Sequence, residues 1–254
     1  KRLRPMLMEA SYEMFGGTDP KIVEPFMAAI ECIHTYSLVH DDLPEMDDDA
    51  YRRGKLTTHK KFGQAMGVLA GDALLNYAFE IVAKALVAQS GDAKAAKAFE
   101  VLACKAGIYG MIGGQVVDVE SEKKNETVER ERLDFIYRLK TGALLEASLM
   151  VGAILAGADD AQVKKMEDAG TKLGLAFQIQ DDILDVTSTV EVLGKPIGSD
   201  EKNQKATYVS FEGIDKAKQD VALFSEEAVA ILEECSGEHA FLRELFLYLI
   251  HREK

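Results

Sequence analysis

The sequence predicts an all-α fold: a single domain over residues 1–254, built as one large bundle of about ten helices. Three observations predict it. Residues 45–195 contain no proline and are rich in Ala, Leu, Glu, Lys and Met, the residues that lose least in a helix. Apolar residues recur with a period near 3.6 in several windows. No Asn-Gly or Asp-Gly pair stands between alternating apolar runs, so a sheet has little support.

In chain order, the opening Lys1-Arg2-Leu3-Arg4-Pro5 reads as the middle of something, which leads us to expect a preceding segment. Gly16-Gly17-Thr18-Asp19-Pro20 is the first helix break. In the helix that follows, Phe26, Ile30, Ile33 and Ser37 share one face, with Leu38 beside them. Pro44 disfavours α geometry at Leu43, so that helix ends near Asp42 and the aspartates beyond it lie on a turn. Leu69, Ala73, Tyr77 and Ile81 form the stripe of the next long helix, and Ser90-Gly91-Asp92 closes it. The longest apolar run, Ala147 to Ala158, is shorter than the roughly 20 residues a membrane span needs, so no span is expected. Gly157-Ala158-Asp159-Asp160 precedes a helix carrying Leu175 to Leu184. Gly194-Lys195-Pro196-Ile197-Gly198 and Ser236-Gly237 are the remaining breaks.

The formal charge is −13, and apolar residues make up 47% of the chain, which together exclude wholesale disorder and disfavour a nucleic-acid partner. Three separated cysteines (Cys32, Cys104, Cys235) make neither a disulfide framework nor a zinc knuckle, and fit a reducing, cytoplasmic location.

The acidity is concentrated. Of 19 aspartates, eight lie in two windows, Asp41-Asp42-Leu43-Pro44-Glu45-Met46-Asp47-Asp48-Asp49 and Asp181-Asp182-Ile183-Leu184-Asp185. Like charges this close repel unless a cation offsets them. Both windows adjoin apolar helices, and at about 100° per residue Gln178, Asp181, Asp182 and Asp185 share a face. Hard oxygen ligands without His or Cys suit Mg²⁺. Arg52 stands where the sixth position of a calcium-binding EF-hand loop needs Gly, and Glu-x-x-His is absent, so EF-hand and di-iron sites are disfavoured. Arg52, Arg53, His59, Lys140, Lys195 and Lys205 are spread around the clusters, and Mg²⁺ with Arg and Lys is a usual solution for phosphates. Two clusters imply a substrate such as a diphosphate.

These residues resemble a known family. Asp41-Asp42-x4-Asp47 followed by Arg52-Arg53-Gly54 is similar to the first aspartate-rich motif of the trans-polyprenyl diphosphate synthases, and Phe177-Gln178-x-x-Asp181-Asp182-x-x-Asp185 to their second. Lys1-Arg2-x-Arg4-Pro5, Lys140-Thr141-Gly142 and Gly194-Lys195 also fit in order and spacing. The resemblance implies helices around a central cavity, a homodimer, and condensation of isopentenyl diphosphate with an allylic diphosphate (dimethylallyl or geranyl) through three Mg²⁺ ions, Mn²⁺ being an alternative. Carried over, Asp41, Asp47 and Asp181 are direct metal ligands, with Asp42 and Asp185 nearer to water-bridged ones. Arg52, Lys140, Thr141, Gln178, Lys195 and Lys205 hold the allylic diphosphate. Lys1, Arg4, Arg53 and His59 hold isopentenyl diphosphate, and Gln115 and Asp118 face the cavity. The other histidines, His34 included, read as ordinary. Departures are Leu56 for a usual Pro, Gln204 for a Gly before Lys205, and the absence of two glycines before Lys1.

Tyr36, five residues before Asp41, lies roughly 7.5 Å deeper along its helix. In the family, bulk at this position stops growth near fifteen carbons, so Tyr36 with Ser37 points to farnesyl diphosphate. The alternatives are a longer-chain, geranylgeranyl-type synthase; a terpene cyclase, against which the second aspartate cluster argues; a silent partner subunit of a heteromeric synthase; and an acidic bundle without catalysis.

Overall fold

The structure, a computed structural model, describes residues 2–89, 91–124, 129–187 and 207–250. Among them the helices are α1 (Leu3–Met14), α2 (Pro20–Asp41), α3 (Thr58–Phe62), α4 (Gln64–Ala88), α5 (Ala93–Ala106), α6 (Met111–Lys124), α7 (Arg130–Ile136), α8 (Ala143–Ala156), α9 (Asp160–Thr187), α10 (Tyr208–Glu212), α11 (Ile214–Glu233) and α12 (Ala240–Ile250). Apart from the five-residue α3 and α10, ten helices remain, in line with the all-α expectation. Tyr137–Gly142 is a π-helical turn joining α7 to α8.

The breaks are capped as their residues dictate. Asp19 accepts from the Lys21 N–H at 3.0 Å, with Pro20 opening α2, and Asp92 does the same for Lys94 at 2.8 Å. Gly157 ends α8 in the left-handed conformation at φ 93°.

The longest apolar run explains itself in α8. Every residue from Ala143 to Leu155 is buried, because α1, α2, α5 and α9 pack around this helix. α11 lies along α9, and α4 along α2. Phe26, Ile30 and Ile33 point into the core as their spacing predicts.

Three expectations are corrected. First, a small sheet exists. Tyr51–Arg52 (β1) pairs antiparallel with Lys55–Leu56 (β2). The loop Arg53-Gly54 takes positive φ at both residues, the geometry that suits a two-residue hairpin, without the Asn or Asp that usually marks it.

Second, Leu69, Ala73 and Tyr77 of the expected stripe face outward, and Ile81 is only half-buried. The buried face of α4 is made of small residues instead, Gly67, Gly71, Ala78, Val82 and Ala85, which let α4 approach α2 closely.

Third, Pro20–Asp41, Gln64–Ala88 and Arg130–Ala156 are each long and apolar enough on average to cross a membrane, which the longest uninterrupted run did not reveal. In Arg130–Ala156 the apolar window is 78% buried inside the protein, so interior packing accounts for it.

Candidate active site

The first aspartate cluster is folded back on itself. Past the end of α2, the Asp47 N–H donates to the Asp41 carbonyl at 2.9 Å, and Asp48 takes a positive φ of 50° with its N–H on the Leu43 carbonyl. This loop sets Asp47 beside Asp41. Burial pushes the Asp41 carboxyl up to about 6; Lys140 and Arg52 pull it down, while Asp47 and Asp118 push it further up. Gln115 on α6 donates to Asp41 at 2.8 Å, and Lys140 binds Asp118 at 2.5 Å. Gln115 and Asp118 thus face the cluster.

Lys140 and Thr141 sit in the π-helical turn, a form that re-aims side chains by inserting a residue into the helix. Two close approaches hold it in place. A Cβ on Gly114 would lie 2.3 Å from the Lys140 nitrogen, and one on Gly174 would lie 2.8 Å from the Gly142 Cα. With those spaces open, Thr141 reaches Gln178 on α9 at 2.9 Å. Asp181 follows one turn later, partly buried, and Asp185 is buried. Asp182 departs from the expected shared face: its carboxylate is buried against Tyr137 and Tyr208.

A cavity of about 630 Å³ opens beneath these groups, within the usual size range of ligand pockets. Asp41, Lys140, Thr141 and Gln115 line it, together with Arg4, His34 and a mostly apolar wall that includes Tyr36, Leu75, Ile112 and Val116. Ser37 lines it too. Tyr36 is 5% exposed and stands edge-on to His40 at 5.7 Å. Burial and Asp41 raise its phenol to about 12, and its hydroxyl has no partner among the described residues. A smaller adjoining pocket of about 210 Å³ is lined by His34, Asp42, Arg52, Arg53 and Thr57 among others.

The comparisons with known proteins bear on this geometry. The polyprenyl synthetase family profile matches residues 1–242. The chain belongs to the polyprenyl synthetase family. It is 44% identical over 242 residues to the farnesyl diphosphate synthase of Geobacillus stearothermophilus, covering 95% of this chain and 80% of that one. It is 48% identical over 228 residues to the geranylgeranyl diphosphate synthase of Cyanophora paradoxa, covering 90% and 75%. Among solved structures, the geranyltransferase of Helicobacter pylori complexed with magnesium and isoprenyl diphosphate superposes with a TM-score of 0.85 at 34% identity, covering 98% of this chain and 82% of that one. The chain is accordingly a trans-prenyltransferase, and synthases of both farnesyl and geranylgeranyl diphosphate are among its relatives.

Within this polyprenyl synthetase site, several placements differ from expectation. Lys1, Lys195 and Lys205 lie outside the described residues. Asp42, expected near a metal, is 4% exposed and held by Arg52, whose Nε and Nη2 both reach its Oδ1 at 2.7 Å. Asp42 therefore orients Arg52.

His59, expected on isopentenyl diphosphate, is buried in α3 and lines neither pocket. Its Nδ1 meets the Thr57 hydroxyl at 3.1 Å and its Nε2 lies 3.5 Å from Asp48, so it fastens the end of the acidic loop.

His34 was missed. It lines both pockets, and burial followed by the charges of Arg4, Arg53 and Arg52 drives its pKa down to about 3. The available signal was its position two residues before Tyr36 on a helix already assigned to the cavity.

Among the described residues no three His, Cys, Asp or Glu groups form a ready-made metal cage. The donors present still fit a hard cation: Asp41 and Asp47 are drawn together by the loop, both offer carboxylate oxygens, and burial disfavours the Asp41 charge unless a cation offsets it. Such a set suits Mg²⁺ whose remaining ligands are substrate phosphate oxygens and water.

Proposed function

We propose that the protein condenses isopentenyl diphosphate with dimethylallyl and geranyl diphosphates to make farnesyl diphosphate. The observation that carries the proposal is a single cavity lined by Asp41, Lys140 and Thr141 as well as by Tyr36, more than a turn deeper on α2. An anionic head with a growing apolar tail needs such a cavity.

Asp41, Asp47 and Asp181 would hold Mg²⁺, expected as three ions with substrate bound and with Mn²⁺ as a substitute, and Asp185 would contribute through water. The magnesium in the Helicobacter pylori complex supports the choice of metal. When bound, the metal neutralises the allylic diphosphate and favours its departure. Lys140 and Arg52 donate to the same diphosphate oxygens, Lys140 exchanging Asp118 for substrate, with Lys195 and Lys205 as further contacts. The allylic carbon–oxygen bond breaks and its electron pair leaves with the diphosphate. The Thr141 hydroxyl and the Gln178 carbonyl, already bonded to each other, present their dipoles near the electron-poor carbon. The double bond of isopentenyl diphosphate then forms the new carbon–carbon bond, and a proton is lost to the released diphosphate.

Arg4, Arg53 and neutral His34, with Lys1, hold isopentenyl diphosphate without metal. Burial brings Arg4 down to about 10, so it stays charged at neutral pH, and its Nε has no hydrogen-bond partner among the described residues. The apolar wall excludes water, which would otherwise intercept the cation.

The second reading is geranylgeranyl diphosphate synthesis, favoured by the 48% identity to the Cyanophora paradoxa enzyme. Incubation with dimethylallyl and isopentenyl diphosphates, then sizing of the dephosphorylated products, separates the two: a fifteen-carbon alcohol supports our reading and a twenty-carbon one replaces it. Asp41→Asn and Asp181→Asn should each lower turnover by at least a hundredfold, and near-wild-type activity in either would remove that residue from the metal site. We place the enzyme in the cytoplasm, as a homodimer packed through the outward stripe of α4.

A further inference from the structure

Asp182 is the middle aspartate of the second cluster, preceded by Asp181 and followed by the apolar Ile183 and Leu184, and it is 4% exposed. A buried carboxylate needs donors. Its Oδ2 accepts from the Tyr137 hydroxyl at 2.5 Å and from the Tyr208 N–H at 2.7 Å. The Tyr208 N–H is also 3.3 Å from the Tyr137 oxygen, so the three groups form one cluster.

Each partner is itself anchored. Tyr137 opens the π-helical turn that carries Lys140 and Thr141. Tyr208 opens α10; its hydroxyl donates to Asp220 on α11 at 2.7 Å, and the Arg130 guanidinium lies 4.1 Å from its ring centroid.

A register emerges between the turn and α9. Tyr137 bonds to Asp182, and four residues further along the turn Thr141 bonds to Gln178, four residues earlier on α9. One turn of α9 earlier again, Gly174 meets Gly142 backbone to backbone. The two segments run antiparallel: the Tyr137–Asp182 and Thr141–Gln178 joints are matched four-residue steps, and the Gly142–Gly174 contact, one residue past Thr141, closes the series. The outermost of these joints is Asp182.

We propose that Asp182 is a positioning residue: through Tyr137 it fixes the spacing between the turn bearing Lys140 and Thr141 and the face of α9 bearing Gln178 and Asp181. Its neighbours in the cluster serve the metal, and Asp182 sets how far apart the diphosphate's two banks of ligands stand. This rests on the prenyltransferase reading of the same site.

Tyr137→Phe, Asp182→Asn and the double variant test it, with kcat, both KM values, the Mg²⁺ concentration for half-maximal rate and the Tm measured for each. Wild-type turnover of dimethylallyl with isopentenyl diphosphate is the control that carries the earlier reading, while coupling between the two variants carries this one. Each single variant should lower kcat roughly tenfold, the scale of one charge-assisted hydrogen bond, and raise the allylic KM more than the isopentenyl KM. The Mg²⁺ requirement should stay within about twofold, and the double variant should lose little beyond the worse single one. Tyr137→Phe removes one oxygen and keeps the ring, so it carries the test alone if Asp182→Asn does not fold. Unchanged kcat in Tyr137→Phe would overturn the proposal. So would multiplicative losses in the double variant, or a tenfold higher Mg²⁺ requirement confined to Asp182→Asn.

Discussion

His34 and Tyr36 stand two residues apart on α2 and carry opposite kinds of information about the cavity. His34, half-buried among Arg4, Arg53 and Arg52, stays neutral at pH 7 with its pKa held near about 3. Free histidine protonates near 6.5, so between these values the unfolded chain binds a proton that the folded one refuses. Stability therefore falls as pH drops from about 6.5 toward 3. Urea denaturation at pH 7.5 and pH 5 should show a smaller loss in His34→Gln than in wild type, and an equal loss would remove His34 as the cause. Tyr36 buries an unpartnered hydroxyl. Tyr36→Phe should hence leave stability within about 1 kcal/mol or improve it, and leave the product unchanged. Tyr36→Ala should lengthen the product and cost about 3–5 kcal/mol. An unchanged product in the alanine variant would show that the depth limit lies elsewhere in the wall.

Among the elements, the π-helical turn is one that sequence periodicity could not disclose. One inserted residue shifts the phase of an apolar stripe no more than a change of helix would, and α7 and α8 read as neighbouring helices either way. The trace it left is chemical. Gly170 and Gly174 face Glu146 and Gly142, a one-turn spacing that marks two backbones in near contact. The helices α2, α8 and α9 were legible because burial is dictated by composition. The β1–β2 ribbon was not, because its turn uses Arg53 where Asn or Asp would announce it. Arg53 in the left-handed region carries about 1 kcal/mol of strain, and such strain gathers where a side chain must be aimed. Gly174→Ala would place its Cβ 2.8 Å from the Gly142 Cα, prising α9 from the turn. We expect a loss of about 1–3 kcal/mol in thermal or urea unfolding, with kcat falling more than tenfold as Thr141 and Gln178 part. A stable variant with full kcat would show that the contact relaxes without moving the site. Glu146 is 1% exposed and bonded to Thr171 and to Lys105; because Lys105 also reaches Glu167 and Thr171 also donates to the Glu167 carbonyl, replacing Glu146 by Ala leaves each with a partner and should cost about 1–3 kcal/mol in urea unfolding.

The homodimer proposed above fits what the fold leaves uncovered. On α4, Gly67, Gly71 and Ala78 face inward, while Met66, Leu69 and Tyr77 are at least half exposed. The turn after α5 exposes Ile108 and Tyr109, and α6 exposes Val116. Large apolar side chains repeated along one face of a 25-residue helix make a patch that an unpaired molecule carries at a cost in solubility, and a two-fold axis would bury it against itself. The net charge of −13 works the other way, since two acidic chains repel. Mg²⁺ held by the aspartate clusters, as proposed above, would reduce that repulsion. Leu75 on α4 and Ile112 and Val116 on α6 also wall the cavity, so packing on the outer face and the shape of the inner one are linked through the same two helices. Leu69→Glu with Tyr77→Glu adds four charges across a two-fold interface at positions that are exposed in the single chain. Sedimentation equilibrium should therefore move from dimer to monomer while far-ultraviolet circular dichroism stays helical. Because α4 and α6 then lose their outer support, kcat should fall and product lengths should broaden in the monomeric variant. A variant that remains dimeric would place the interface on another face, and a monomer with the wild-type product would separate the cavity's shape from association altogether.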